Sequence, residues 1–80
     1  MSPIHIPQPL TSFAVGMIVH LAFFALGIPE AQRLRELGVR EGNMIHVLKN
    51  GETFVCRVES SRIALRREVA MNVFGTPSAI

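Results

Sequence analysis

The chain has 80 residues, of which 49% are hydrophobic and 18% are charged, and this composition excludes an intrinsically disordered chain. Its length predicts a single domain with a thin core. The formal net charge of +2 is too small to indicate a nucleic-acid-binding protein by itself.

The cysteine count and the apolar pattern indicate a cytosolic protein. The single cysteine, Cys56, excludes an internal disulfide and zinc sites built from paired cysteines, and we expect it to be a buried thiol. The apolar run at residues 17–28 contains His20 and is shorter than the ~20 residues that a membrane-spanning helix needs. The N-terminus lacks the pattern of a signal peptide. We therefore predict a cytoplasmic location without membrane insertion.

The first part of the chain predicts an arm, a turn, a strand and a helix. Residues 1–9 contain three prolines and predict an extended N-terminal arm, which precedes a domain at residues 10–75. Gly16 predicts a turn before a first strand at residues 17–23. Pro29 is typical of the first turn of a helix, and Gly38 is typical of its left-handed C-cap. We expect that first strand to be apolar on both faces except at His20.

The second part of the chain predicts a meander of short strands. Residues 44–49, 53–58 and 62–65 predict three strands, and Asn50-Gly51 predicts a type I′ turn between the first two. A short helix at residues 66–72 and a last short strand at residues 73–74 follow, with Gly75 as its end. Residues 76–80 form a C-terminal tail. Five short strands of this kind favour closure into a small barrel, because closure removes exposed edges.

Several segments together resemble the FeoA family of ferrous iron transport proteins. They are residues 33–39 (RLRELGV), Glu41-Gly42, Val47-Leu48, residues 62–68 (RIALRRE) with Ala70, and the early Gly16. They occur in the family's order and at family-like spacing over about residues 10–75. The resemblance implies a mainly β fold: a small SH3-like β-barrel with one inserted α-helix and a short C-terminal helix. It also implies a cytosolic protein that works beside a FeoB-type membrane GTPase transporter of Fe(II).

Chemical groups for catalysis or metal binding are not evident. His20 and His46 lie within predicted strands, His5 lies in the arm, and their spacing shows no metal-ligand pattern. No carboxylate pair, Ser/His/Asp set or phosphate-binding glycine loop is present. We therefore predict a protein that is not an enzyme and has no cofactor and no metal site.

Arginines dominate the candidate partner-binding residues. Each has two interpretations: an ordinary solvated surface, where ion pairs contribute under ~1 kcal/mol, or a patch that docks an acidic partner. The candidates are Arg33, Arg35, Arg62, Arg66 and Arg67.

Phe23 and Phe24 also have two interpretations. They either fill the core of the barrel or form an exposed docking patch. Edge strands of a small apolar barrel also allow a homo-oligomer.

Three functions remain open from the sequence. The first is an accessory protein that binds and regulates the FeoB-type transporter by protein–protein contact. The alternatives are an SH3-like nucleic-acid-binding module and a metal-delivery protein. Against nucleic acid stands the lack of aromatic stacking residues on a basic face, so no nucleic-acid partner is expected.

Overall fold

A computed structural model of the chain describes residues 6–78. The elements are β1 (Gln8–Pro9), a 3-10 turn (Leu10–Ser12), β2 (Ile18–Phe24), α1 (Ile28–Glu36), β3 (Met44–Asn50), β4 (Thr53–Val58), β5 (Ser61–Arg66), α2 (Arg67–Ala70) and β6 (Val73–Pro77). His5 and the ends of the predicted arm and tail lie outside the described residues.

The strands form one antiparallel sheet in the order β1-β6-β2-β3-β4-β5. The predicted mainly β, SH3-like fold with one inserted helix and a short C-terminal helix is confirmed. The expectation of a closed, five-stranded barrel is wrong, because this sheet of six strands is open, with β1 and β5 at its edges. The short helix α2 packs against β4, β5 and the 3-10 turn.

A sixth strand and a longer last strand arise where the sequence indicated chain ends. Gln8 and Pro9, within the predicted arm, pair with Gly75 and Phe74 of β6. Gly75 does not end β6 but lies inside it, opposite Leu21 of β2. A side chain there would begin 2.5 Å from both the backbone oxygen of His20 and a methyl group of Val19. Gly75 therefore permits the close approach of β6 to β2.

Buried and exposed side chains alternate along the strands, so one face of the sheet packs on the core and the other is the outer face. In β2, Val19 and Leu21 are buried, whereas Ile18, His20 and Ala22 are exposed. Both faces of this strand are apolar apart from His20, as the sequence predicts, but only one of them is buried. A register shift between Leu21 and Phe23 then changes which side chains point inward. The core comprises Leu10, Phe13, Val19, Leu21, Leu34, Val39, Ile45, Val47, Phe54, Cys56, Val58, Ile63, Leu65, Ala70 and Val73.

The helix α1 begins and ends as the sequence predicts. Pro29 lies in its first turn, and Gly38 just beyond its end has a φ of +99°, the left-handed conformation that glycine adopts without strain. The N–H of Val39 donates to the carbonyl of Leu34 at 2.9 Å and closes the last turn. This cap turns the chain so that Val39 enters the core.

The predicted type I′ turn at Asn50-Gly51 is wrong. Asn50 is the last residue of β3 and pairs with Phe54, and neither Asn50 nor Gly51 has a positive φ. The Asn50 side chain explains the difference. Its Nδ2 donates to the carbonyls of Thr11 (3.0 Å) and Phe13 (2.9 Å), which fixes Asn50 in the strand.

Candidate partner-binding groove

An apolar groove lies between α1, the edge strand β5 and the start of α2. Its volume is about 370 Å³. The lining residues are Glu30, Arg33, Leu34 and Leu37 on the side of α1, and Ala64, Leu65, Arg66 and Val69 on the side of β5 and α2. We call this feature the α1–β5 groove.

The α1–β5 groove combines an apolar floor with a positively charged rim. Leu34 and Leu65 are buried beneath it, Val69 is partly buried, and Leu37 remains 50% exposed. The exposed half of the Leu37 side chain is apolar surface that a partner can cover. The rim carries Arg33 and Arg66, both exposed, and a single acidic residue, Glu30.

The strand β5 extends the positive rim along the edge of the sheet. Ile63 and Leu65 point into the core, and Arg62, Ala64 and Arg66 are exposed between them. Arg62 pairs across the ladder with Arg57 of β4, which is exposed as well. Arg57 was not among the partner-binding candidates that the sequence indicated. The two-residue turn between Val58 and Ser61 is the signal that places it opposite Arg62.

Arg35 belongs to a different surface cluster. Its guanidinium bonds both carboxylate oxygens of Glu41, at 3.1 Å from Nε and 2.7 Å from an Nη. The same guanidinium lies 5.1 Å from the centre of the Phe24 ring. Its hydrogen bonds lower the pKa of Glu41 to about 2. Arg35 therefore contacts residues of its own chain and does not line the α1–β5 groove.

Arg67 is held in a polar corner with Asn50. One guanidinium nitrogen of Arg67 donates to Oδ1 of Asn50 at 2.8 Å and to the carbonyl of Gly51 at 3.1 Å. The Asn50 amide in turn bonds the 3-10 segment. We call Asn50, Gly51 and Arg67 the polar corner. It ties the end of β3 to the start of α2.

The structure separates Phe23 from Phe24. Phe24 is partly buried and packs against the core. Phe23 is 45% exposed and stacks on Phe74, with ring centroids 4.9 Å apart and planes 5° from parallel. Phe23 is thus a surface residue, and neither ring lines the α1–β5 groove.

The cysteine and the two histidines of the described residues do not line the α1–β5 groove. Cys56 is buried, and burial raises the pKa of its thiol to about 11, so the nucleophilic thiolate is scarce near neutral pH. Within residues 6–78, no three or more His, Cys, Asp or Glu side chains are grouped to hold a metal ion. His20 and His46 have Met44 and Ile18 as cross-strand neighbours. No helix in this described range is long and apolar enough to span a membrane.

Proteins of known structure share this fold. The chain is similar to the crystal structure of the iron uptake regulatory protein FeoA, with a TM-score of 0.82 and 22% identity over 91% of this chain and 99% of that one. It is also similar to the solution structure of FeoA from Chlorobium tepidum, with a TM-score of 0.84 and 20% identity over 90% and 71% of the two chains.

A longer protein also contains a similar domain. The crystal structure of T. acidophilum IdeR matches with a TM-score of 0.83 and 16% identity over 98% of this chain, but only 37% of that one. No curated protein sequence matches this chain significantly. At these identities the structural likenesses establish the fold alone. A family model, the FeoA domain, matches residues 8–77, nearly the whole length. The chain therefore belongs to the FeoA family.

Proposed function

We propose that this protein is a cytoplasmic accessory component of ferrous iron uptake that binds and regulates a FeoB-type membrane GTPase transporter of Fe(II). Membership of the FeoA family supports involvement in ferrous iron uptake. The family is one of small accessory domains and is not a known enzyme family. Action through protein–protein contact is the mode of regulation that suits such a domain.

The observation that carries the proposal is the α1–β5 groove with its arginine rim. An apolar floor beside Arg33 and Arg66 has the make-up of a protein-binding surface, in which apolar contact supplies affinity and charge sets orientation and association rate. Arginine is also enriched among the residues that dominate binding energy. Arg62 and Arg57 continue the same charge along the sheet. An acidic surface of the transporter is the complementary partner.

The first test is Fe(II) uptake in a strain that lacks this protein. We expect deletion to lower uptake of radiolabelled Fe(II) and wild type to restore it. The variant Arg33→Ala/Arg66→Ala should not restore uptake at equal protein level. The variant Arg40→Ala/Lys49→Ala removes the same charge away from the groove and should restore it. Normal uptake in the deletion strain would contradict the proposal.

The second test is direct capture. Immobilised wild-type protein should retain the cytoplasmic GTPase domain or the full transporter, and the groove variant should retain less. Capture of neither, in every nucleotide state and at low salt, would refute the contact. Salt-dependent retention of RNA, or tight binding of Fe(II) or Zn(II), would then favour the nucleic-acid or metal-delivery function instead.

A further inference from the structure

The backbone of β5 presents unused hydrogen-bonding groups along its free edge. Val58 and Ser61 flank the two-residue turn that joins β4 to β5, so they form a hydrogen-bonded pair. In an antiparallel ladder such pairs alternate with non-bonded ones. Cys56–Ile63 and Phe54–Leu65 are therefore bonded.

The alternation continues past the end of β5. The N–H of Arg67 donates to the carbonyl of Glu52 at 3.2 Å, which is the next bonded pair in the series. The residues between the bonded pairs are Arg62, Ala64 and Arg66, and their N–H and C=O groups point away from β4. In the part of the chain that the structure describes, no other strand pairs with this edge.

This free edge borders the α1–β5 groove. Ala64 and Arg66 line the groove on one side, and Leu34 and Leu37 line it on the other. A chain segment lying in the groove is therefore next to backbone donors and acceptors on one side and apolar surface on the other. That combination fits an extended strand, which gains affinity from main-chain bonds and specificity from alternate side chains.

Charge decides what kind of strand fits. Arg62 and Arg66 occupy the outer face of β5 on either side of Ala64. A second copy of β5 added antiparallel about Ala64 would set Arg62 against Arg66 twice, and like charges directly opposite each other are destabilising. Carboxylates at every second residue would instead pair with these arginines.

We propose that the α1–β5 groove binds an acidic segment of its partner as an added β-strand along β5. Every second side chain of that segment is a carboxylate facing Arg62 and Arg66, and the intervening side chains are apolar and cover Leu37 and Val69. The inference rests on the proposed function for the identity of the partner, but the mode of binding is tested separately.

The test uses synthetic peptides and backbone amide signals. The probes are a capped eight-residue peptide of alternating Glu and Val and its Lys–Val counterpart, titrated into isotope-labelled wild-type protein. We expect the Glu–Val peptide to shift the N–H signals of Ala64 and Arg66 and slow their hydrogen exchange. The Lys–Val peptide should do neither. No effect of the Glu–Val peptide at millimolar concentration, or an effect located elsewhere, would overturn the inference.

A proline substitution tests the backbone contact without removing charge. Ala64→Pro deletes an N–H that does not bond β4, and proline is tolerated where the N–H of an edge strand faces outward. We expect it to weaken peptide binding at least about fivefold. Ala64→Val keeps the N–H and should retain most of the binding. Circular dichroism checks that both variants fold, and equal binding by both would contradict an added strand.

The same variants separate this inference from the proposed function. If the GTPase domain is captured equally by wild type and by Ala64→Pro, the added strand is excluded but the partnership stands. If the Glu–Val peptide binds at Ala64 and Arg66 but no transporter is captured, the strand-binding groove stands and the partnership fails.

Discussion

Arg66 and Arg67 are adjacent in the chain but lie in opposite environments. Arg66 is the last residue of β5 and is exposed on the rim of the α1–β5 groove. Arg67 is the first residue of α2, and its guanidinium is bonded within the polar corner. The change from strand to helix between them turns one side chain outward to solvent and the other against the chain's own carbonyls.

Arginines that are adjacent in the chain therefore do not form one surface. They divide between structural and partner-facing roles according to the backbone, and the two roles have opposite experimental signatures. Substitution in the polar corner should lower stability and leave partner binding intact in the folded molecules. Substitution on the rim should leave stability almost unchanged and weaken binding.

The largest expected effect is that of Asn50→Ala in the polar corner. Asn50 makes two bonds through Nδ2 and one through Oδ1, and the substitution leaves the carbonyls of Thr11 and Phe13 without this donor. We expect the free energy of unfolding to fall by about 2–4 kcal/mol. Urea denaturation followed by circular dichroism measures it.

A matched control exists for that prediction. Asn43 is also partly buried, but its side chain makes one bond, to the carbonyl of Gly38 at 2.8 Å. Asn43→Ala should therefore cost only about 1 kcal/mol. Equal losses for the two variants would show that Asn50 has no special role in joining β3 to the 3-10 segment.

The next effect separates Arg67→Ala from Arg66→Ala. Arg67→Ala removes two hydrogen bonds of a partly buried guanidinium, and we expect a loss of about 1–3 kcal/mol. Arg66→Ala changes an exposed side chain, and its effect should stay within about 0.5 kcal/mol. Capture of the GTPase domain should rank the variants in reverse order. Loss of capture with Arg67→Ala at full folding would place Arg67 on the partner surface after all.

Local signals in the sequence predict the elements but not how they meet. Pro29 and Gly38 mark the ends of α1, and β-branched and aromatic residues mark β4, because these effects act within a few residues. Asn50 shows the limit. Its preference for a turn depends on its neighbours along the chain, but its partners Thr11, Phe13 and Arg67 are distant in sequence. Tertiary hydrogen bonds override the local preference.

The same limit explains Gly75 and the candidate groove. A glycine near a chain end is typical of the end of a strand. Only the pairing of β6 with β2 shows that Gly75, because it has no side chain, allows these two strands to pack closely. Arg33 and Arg66 were predictable as basic surface residues. Their position on one groove was not, because it depends on how α1 lies against β5.

The smallest expected effect concerns Arg35, which is exposed like Arg66 but bonded within the chain like Arg67. The pKa of Glu41 is lowered from an ordinary 4.5 to about 2, first by its hydrogen bonds to Arg35. Because the pKa is lower in the folded state, the stabilisation is present above pH ~4.5 and is lost as the pH falls through about 2. Glu41→Gln should thus be slightly less stable than wild type near neutral pH, and the two should converge in acid.

Unfolding free energies of wild type and Glu41→Gln between pH 7 and pH 2 measure this effect, and added salt should shrink the difference because the pair is exposed. The Arg35→Gln background supplies the control, since Glu41→Gln should lose most of its pH-dependent effect there. A pH-independent difference would mean that Glu41 is not held by Arg35. Arg35 would then be an unpaired exposed cation, and it would join Arg33 and Arg66 as a residue available to an acidic partner.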